Sequence, residues 1–254
     1  MKKVLQVTYK LFENELNNFI LNFEAQGEDF GNQDRNSLKL FKLNGLLINV
    51  KSFKIPNIFN QIAYRFFRKS KAQRSFEYAN KLINLNIGTP QPVAYYELET
   101  PFLFKKSYYI SEQQICDLTY RELTINLNYP NHEAILRAFT RFTFQLHEKG
   151  IHFLDHSPGN TLIKNVEGNY EFFLVDLNRM EFKPMGFETR IKNFAKLTTH
   201  KFMVEIMSEE YAKCTGGDYE KIFNLMWKYT QDFQNQYHRK KRLKNMILFW
   251  RIGK

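Results

Sequence analysis

Residues Gly150 to Phe182 read GIHFLDHSPGNTLIKNVEGNYEFFLVDLNRMEF. Leu162 and Ile163 are apolar, Lys164-Asn165-Val166-Glu167-Gly168-Asn169 supplies turn chemistry, and Tyr170 to Val175 is a nearly continuous apolar run. The stretch therefore predicts a loop followed by a hairpin of two short strands. Asp155 and Asn160 stand on the loop before the hairpin, and Asp176 leaves its second strand. Three oxygen-bearing side chains are thus expected to converge at one end of the hairpin.

Phosphoryl transfer uses such a set: one carboxylate accepts the proton of the attacking hydroxyl, while an amide and a second carboxylate hold a magnesium ion against the triphosphate. The order Asp-x-x-x-x-Asn, hairpin, Asp resembles the catalytic loop and metal-binding segment of protein-kinase-like enzymes. Here Asp-x-x-Arg, ending at Arg179, replaces Asp-Phe-Gly. With that change the chain resembles the bacterial lipopolysaccharide kinase family, the Kdo and core-heptose kinases, and within it a Kdo-kinase-like member. The resemblance implies an α+β, two-lobed protein-kinase-like fold, with an antiparallel-sheet N-lobe over residues 1–112 and a mainly helical C-lobe over 113–254. It implies ATP and Mg²⁺ as cofactors, Asp155 as catalytic base, and Asn160 and Asp176 as metal ligands.

Three positions depart from the kinase pattern. Phe153 stands where a histidine usually lies two residues before the base, and His152, one place earlier, is expected to pack or brace the loop. Asn178 replaces the glycine of Asp-Phe-Gly, so an in/out switch of that segment is not expected. Leu154 replaces the arginine that reads a phosphorylated activation loop, so regulation of that kind is not expected.

The chain has 254 residues, 43% hydrophobic, enough for a sizeable core in one large domain or two lobes. Cys116 and Cys214 are far apart, with no CxxC, so neither a zinc site nor a disulfide framework is indicated. The start, MKKVLQVTYKLFENEL, lacks the apolar run of a signal peptide, and no stretch approaches ~20 apolar residues, so export and membrane spanning are not expected. A net charge of +11 points to anionic partners: nucleic acid, an acidic membrane face or a phosphorylated substrate. The many aromatics fall within apolar periodic runs and read as core. No base-reading module accompanies the charge, so nucleic acid is not an expected partner.

Residues 1–25 read as an extension packed on the first lobe. Gly27, Gly31 and the polar run Asn32 to Asn36 form a loop that either lies over nucleotide phosphates or is an ordinary connection. Ser37–Leu43 and Leu46–Phe53 predict a hairpin turned at Asn44-Gly45. Its second strand carries Asn49-Val50-Lys51, which resembles the kinase strand whose lysine contacts the phosphates. Lys54 competes for that role, but alternation puts it on the opposite face. Residues 57–70 form an insertion, and the cluster Arg65, Arg68, Lys69, Lys71 and Arg74 is either a solvated face or a docking surface for an anionic acceptor.

Phe76, Ala79, Leu82 and Ile83 predict a helix over 71–85. On it the resemblance makes Glu77 the partner of Lys51; as a plain helix glutamate it would form surface pairs. Strands are expected at Val93–Glu99 and Phe104–Ser111, then a hinge at Glu112-Gln113-Gln114 whose backbone would meet the adenine edge, again by resemblance. Helices are predicted over Asn131–Lys149, Glu188–Thr199, Phe202–Cys214 and Tyr219–Tyr237. Arg179 either braces Asp155 or Asp176 or reaches a sugar phosphate or carboxylate. The end, His238 to Lys244 followed by Met246 to Trp250, fits either an anionic bilayer surface or a last helix with a solvated basic end.

The expected activity is ATP-dependent phosphorylation of a lipopolysaccharide inner-core sugar, with Kdo of Kdo-lipid A as acceptor. The partners would be a lipid-linked anionic sugar and the anionic inner membrane, met peripherally from the cytoplasm. Two alternatives stay open: a small-molecule or protein kinase of the same fold, and a non-catalytic or RNA-associated scaffold.

Overall fold

The computed structural model describes residues 1–31 and 36–252, with backbone alone over 247–252. The polar run at 32–35 and the apolar side chains at 247–250 lie outside the described residues. The chain separates into two compact units. The first holds residues 1–115 and 173–179; the second holds 116–172 and 180–254.

The first unit is built on six strands: β1 (Lys2–Leu5), β2 (Glu28–Asp29), β3 (Asn36–Leu43), β4 (Leu46–Phe53), β5 (Pro92–Glu99) and β6 (Phe104–Glu112). They form one antiparallel sheet in the order β1-β5-β6-β4-β3-β2. The Asn44-Gly45 turn has φ of +46° and +80°, the left-handed values a two-residue hairpin needs. The first 25 residues are part of this unit, since β1 pairs with β5 and α1 (Glu13–Leu21) buries Leu16, Phe19 and Ile20 in its core.

Alternation along β4 decides which face each residue serves. Ile48 and Val50 are buried with Phe19, Phe23 and Phe41 in one cluster. Lys51 and Phe53 point the other way, and Phe53 packs with Ala72 and Phe76 of α3 (Lys71–Asn84). Ser70 caps that helix by accepting from Gln73 N at 3.1 Å. The insertion at 57–70 contains a helix of its own, α2 (Ile58–Phe66), capped by Asn57. Residues 173–179 join this unit through Leu174, whose N donates to Gly88 O at 2.9 Å and whose carbonyl accepts from Thr89 Oγ1 at 2.8 Å.

The second unit is mainly helical: α4 (Tyr120–Ile125), α5 (His132–Glu148), α6 (Phe187–Lys192), α7 (Lys201–Thr215) and α8 (Tyr219–Ile252). α5 packs on α7, and α7 and α6 on α8. Tyr120, Phe139, Phe153, Phe194 and Tyr211 are fully buried. The strands are short: β7 (Leu118–Thr119), β8 (Ile151–Phe153), β9 (Thr161–Val166), β10 (Asn169–Leu174) and β11 (Met180–Phe182). β9 and β10 are the expected hairpin, turned at Glu167-Gly168 with φ of +52° and +86°.

Two expectations are corrected. The helix predicted over 188–199 ends at Lys192, because Asn193 turns its side-chain amide to Phe153 O at 2.9 Å while Phe194 and Leu197 drop into the core. The helix predicted to stop at Tyr237 runs on to Ile252. Its stretch from His238 to Lys244 is exposed, as a helix without an apolar face to bury must be.

Gly27 has φ +83°, and a β-carbon there would lie 2.6 Å from the Phe41 ring. Gly27→Ala is therefore expected to lose about 1–3 kcal/mol of stability, from left-handed backbone cost plus displacement of a core ring. Urea unfolding of the two proteins measures it.

Candidate active site

In the first unit, β4 delivers Lys51 to Asp176, with Nζ 2.7 Å from Oδ1 and both side chains largely sheltered. Asp176 has φ +56°, a conformation that Asp tolerates better than most residues. Two donors hold it there: Lys51, and Asn178, whose Nδ2 reaches the same oxygen at 2.7 Å. Asn178 is itself buried. The residue standing where Asp-Phe-Gly has its glycine thus braces the carboxylate.

Glu77 does not take the place the resemblance gives it. Its carboxylate is 2.8 Å from Lys69 Nζ and accepts from Gln73 Nε2 at 2.9 Å, on its own helix and the residue stretch before it. Lys51, expected to pair with Glu77, pairs with Asp176 instead. The reason is reach: Glu77 finds a cation and an amide within eight residues, and the Lys51 ammonium meets a carboxylate across the sheet face. From α3 it is Lys71 that lies in the field of Asp176. Its ammonium is held below the ordinary lysine range by burial first, against the attraction of Asp176 and with the repulsion of Arg74, Lys51 and Arg179. Lys51 and Lys71 thus act on Asp176, while Arg74 and Arg179 act on Lys71. Lys71 and Arg74 were readable in sequence only as members of a basic cluster.

The other residues of that cluster go elsewhere. Arg65 donates to Thr100 O at 3.0 Å and lies 3.7 Å from Glu99, and Arg68 stands 5.9 Å from the centre of the Tyr64 ring. Lys54 is exposed beyond the end of β4. Gly31 has φ +68° with open space around it, at the edge of the described residues. At the expected hinge, Glu112 accepts from Tyr9 OH, and Gln113 is tied to Asn49 at 2.7 Å and to Leu47 O at 2.8 Å. Gln114 donates to Ile115 O at 3.0 Å.

In the second unit, Asp155 and Asn160 sit on a loop closed by a short 3-10 turn with Pro158 at its start. Asn160 donates through Nδ2 to Asp155 O at 2.8 Å, which commits the nitrogen end of the amide and leaves the oxygen end as a cation donor. Gly159 lets the Arg121 guanidinium approach closely, since a β-carbon would lie 2.5 Å from its Nη2. Lys196 donates to Leu154 O at 2.6 Å and its ammonium is 3.7 Å from Asp155 Oδ1. His152 lies 3.4 Å from Glu181 across the β8–β11 pair, a brace for the strand. His156 is fully buried, stacked 5.3 Å from Phe139, with Nε2 3.3 Å from Thr143 Oγ1.

Lys196 and His156 escaped the sequence reading. Nothing in the local sequence around Lys196 marks it, and His156 carries no motif beyond its place next to Asp155. Beside this loop is a cavity of about 510 Å³ that Leu154, His156, Lys192, Lys196, Tyr229 and Phe233 help to line.

The sequence model of the lipopolysaccharide kinase (Kdo/WaaP) family matches residues 54–224. The chain belongs to that family. The match contains Glu77, Asp155, Asn160, Asp176 and Arg179, and Lys51 falls just before it. Among solved structures, that of WaaP in complex with acyl carrier protein superposes with a TM-score of 0.64 at 15% identity, over 93% of this chain and 100% of that one. That likeness establishes the kinase-like fold: an antiparallel-sheet N-terminal region and a helical C-terminal region. Comparison with curated proteins gives no match. Family membership makes the chain a phosphotransferase acting on sugar hydroxyls, a lipopolysaccharide core kinase. Of the alternatives raised by the sequence, it favours this one over small-molecule kinase, protein kinase and scaffold.

Burial pushes His156 down to about 3, and His147, which bonds Tyr211 and Asn193, down to about 4. Both are neutral in the folded protein and free to protonate near ~6.5 when unfolded. The unfolded state therefore binds more protons below that pH. Stability is expected to be full above about pH 6.5 and to fall steadily toward pH 4, with a smaller slope in His156→Gln. Urea midpoints across that range provide the check.

Proposed function

We propose that the chain transfers the γ-phosphoryl group of ATP to a hydroxyl of Kdo in the lipopolysaccharide inner core. The work would be done at the cytoplasmic face of the inner membrane, with the protein bound peripherally. In this reading Asp155 accepts the proton of the sugar hydroxyl as its oxygen bonds to the γ-phosphorus and the bond to the β-phosphate oxygen breaks. Lys196 lies 3.7 Å from the Asp155 carboxylate and pins the loop through Leu154 O, so the base is oriented before substrate arrives. Lys51, with Lys71 nearby in the field of Asp176, takes phosphate oxygens.

Asn160 and Asp176 suit Mg²⁺, a hard cation that prefers oxygen donors and keeps several sites for water and phosphate. When bound it would neutralise charge on the phosphates. No cluster of three or more His, Cys, Asp or Glu residues suited to a metal is found among the described residues.

The observation that carries the choice of acceptor is the cavity beside Asp155. Lys192 and Lys196 bring two cations to it against the single carboxylate of Asp232, and Lys192 lies 5.7 Å from the centre of the Tyr229 ring. A flat aromatic wall with cations suits a sugar that bears a carboxylate, as Kdo does. No helix among the described residues is long and apolar enough to cross a membrane, and peripheral binding does not call for one.

The test is transfer of labelled γ-phosphate from Mg·ATP to Kdo-bearing lipid A precursor. Asp155→Ala should lower the rate by ~10²–10⁴-fold, the range for a general base, with ATP affinity nearly unchanged. Undiminished transfer by the variant would remove Asp155 from the chemistry. Label on heptose alone would move the acceptor.

A further inference from the structure

Helix α2 is inverted relative to an ordinary surface helix. Its polar residues turn toward the protein: Gln61 Nε2 donates to Pro56 O at 2.9 Å, Tyr64 packs at a tilt with its ring centre 5.6 Å from that of Phe104, and Arg65 bonds Thr100 O. Its apolar residues Ile58, Phe59, Ile62 and Phe66, at helical spacings of three and four, are exposed, and none of its nine residues is buried. Phe67, which ends the helix, and Phe102, on the turn that Arg65 holds, are 81% and 76% exposed.

An apolar stripe at these spacings normally packs on a core. Here the stripe faces solvent although a sheet lies behind the helix, and a contiguous exposed patch of this kind marks an interaction surface. The charges identify the partner. No acidic residue occurs between Lys54 and Ser70, while Lys54 and Arg68 are exposed around the stripe and Lys69 is exposed beside them, paired with Glu77. Aromatics that project outward and are edged by cations match the boundary of an anionic bilayer, where rings enter the headgroup–acyl region and long basic side chains reach the lipid phosphates.

We propose that α2, together with Phe67 and Phe102, is the membrane-docking element of this protein and lies in the plane of an anionic bilayer. The assignment deepens the peripheral placement given above and is independent of which sugar is phosphorylated.

The experiment is co-sedimentation of the full chain with phosphatidylcholine vesicles, with and without phosphatidylglycerol. Binding should require the anionic lipid and weaken with salt. Phe59→Ser combined with Phe67→Ser should reduce it by at least ~10-fold. The melting temperature, and transfer to a deacylated, water-soluble acceptor, should stay the same because neither side chain is buried. Undiminished vesicle binding by the double variant would overturn the assignment and direct attention to the basic stretch of α8. Failure of the unaltered protein to bind either vesicle would overturn the peripheral placement itself. Self-association that the double variant abolishes would give the face to a second copy of the chain.

Discussion

Lys51 and Asp176 are 125 positions apart and meet at 2.7 Å on the face of an antiparallel sheet. Much of the first unit serves to make that contact possible. Lys51 is aimed by the alternation of β4, whose other face is committed to Ile48 and Val50 in the core. Asp176 is aimed by a left-handed backbone that Asn178 and the lysine stabilise together. A half-sheltered ion pair of this kind gives little net stability, because desolvation offsets much of the attraction. Its value is positional: it fixes the two groups that the proposed chemistry assigns to phosphate and to metal.

The second unit holds its loop by a different method. The carbonyls of Phe153, Leu154 and Asp155 accept from Asn193, Lys196 and Asn160 in turn. Buried carbonyls demand donors, and here three side chains supply them, two from the segment after α6. That demand ends α6 early and brings the Lys196 ammonium to Asp155. Neutral, buried His147 and His156 complete the support: His147 holds the Asn193 amide, and His156 stacks on α5 through Phe139. The loop around Asp155 is therefore held in part by polar groups whose neutral form the fold favours.

Helix α2 shows that amphipathic spacing has a sign that the sequence does not print. Positions 58, 59, 62 and 66 recur as a buried stripe would, and so do Phe76, Ala79 and Leu82 in α3. In α3 the stripe is buried and in α2 it is exposed. On the inward side of α2, Arg65 instead bonds Thr100 O and lies 3.7 Å from Glu99.

Local chemistry was legible from the sequence. The Asn44-Gly45 and Glu167-Gly168 turns, the periodicity of α3 and α5, and the run from Asp155 through Asn160 to Asp176 each depend on neighbours a few residues away. They announce the hairpins, the helices and the family. Partner choice was not legible. Glu77 could pair with Lys51 or Lys69, Lys196 carried no motif, and the β8–β11 pair joined two stretches too short to read as strands. Long side chains select among several partners by where the backbone places them, and that placement depends on contacts distant in sequence. The sequence by itself determined which chemistry this protein is equipped for; the tertiary structure alone decided which cations meet Asp176, what steadies Asp155 and which helix turns its apolar face outward.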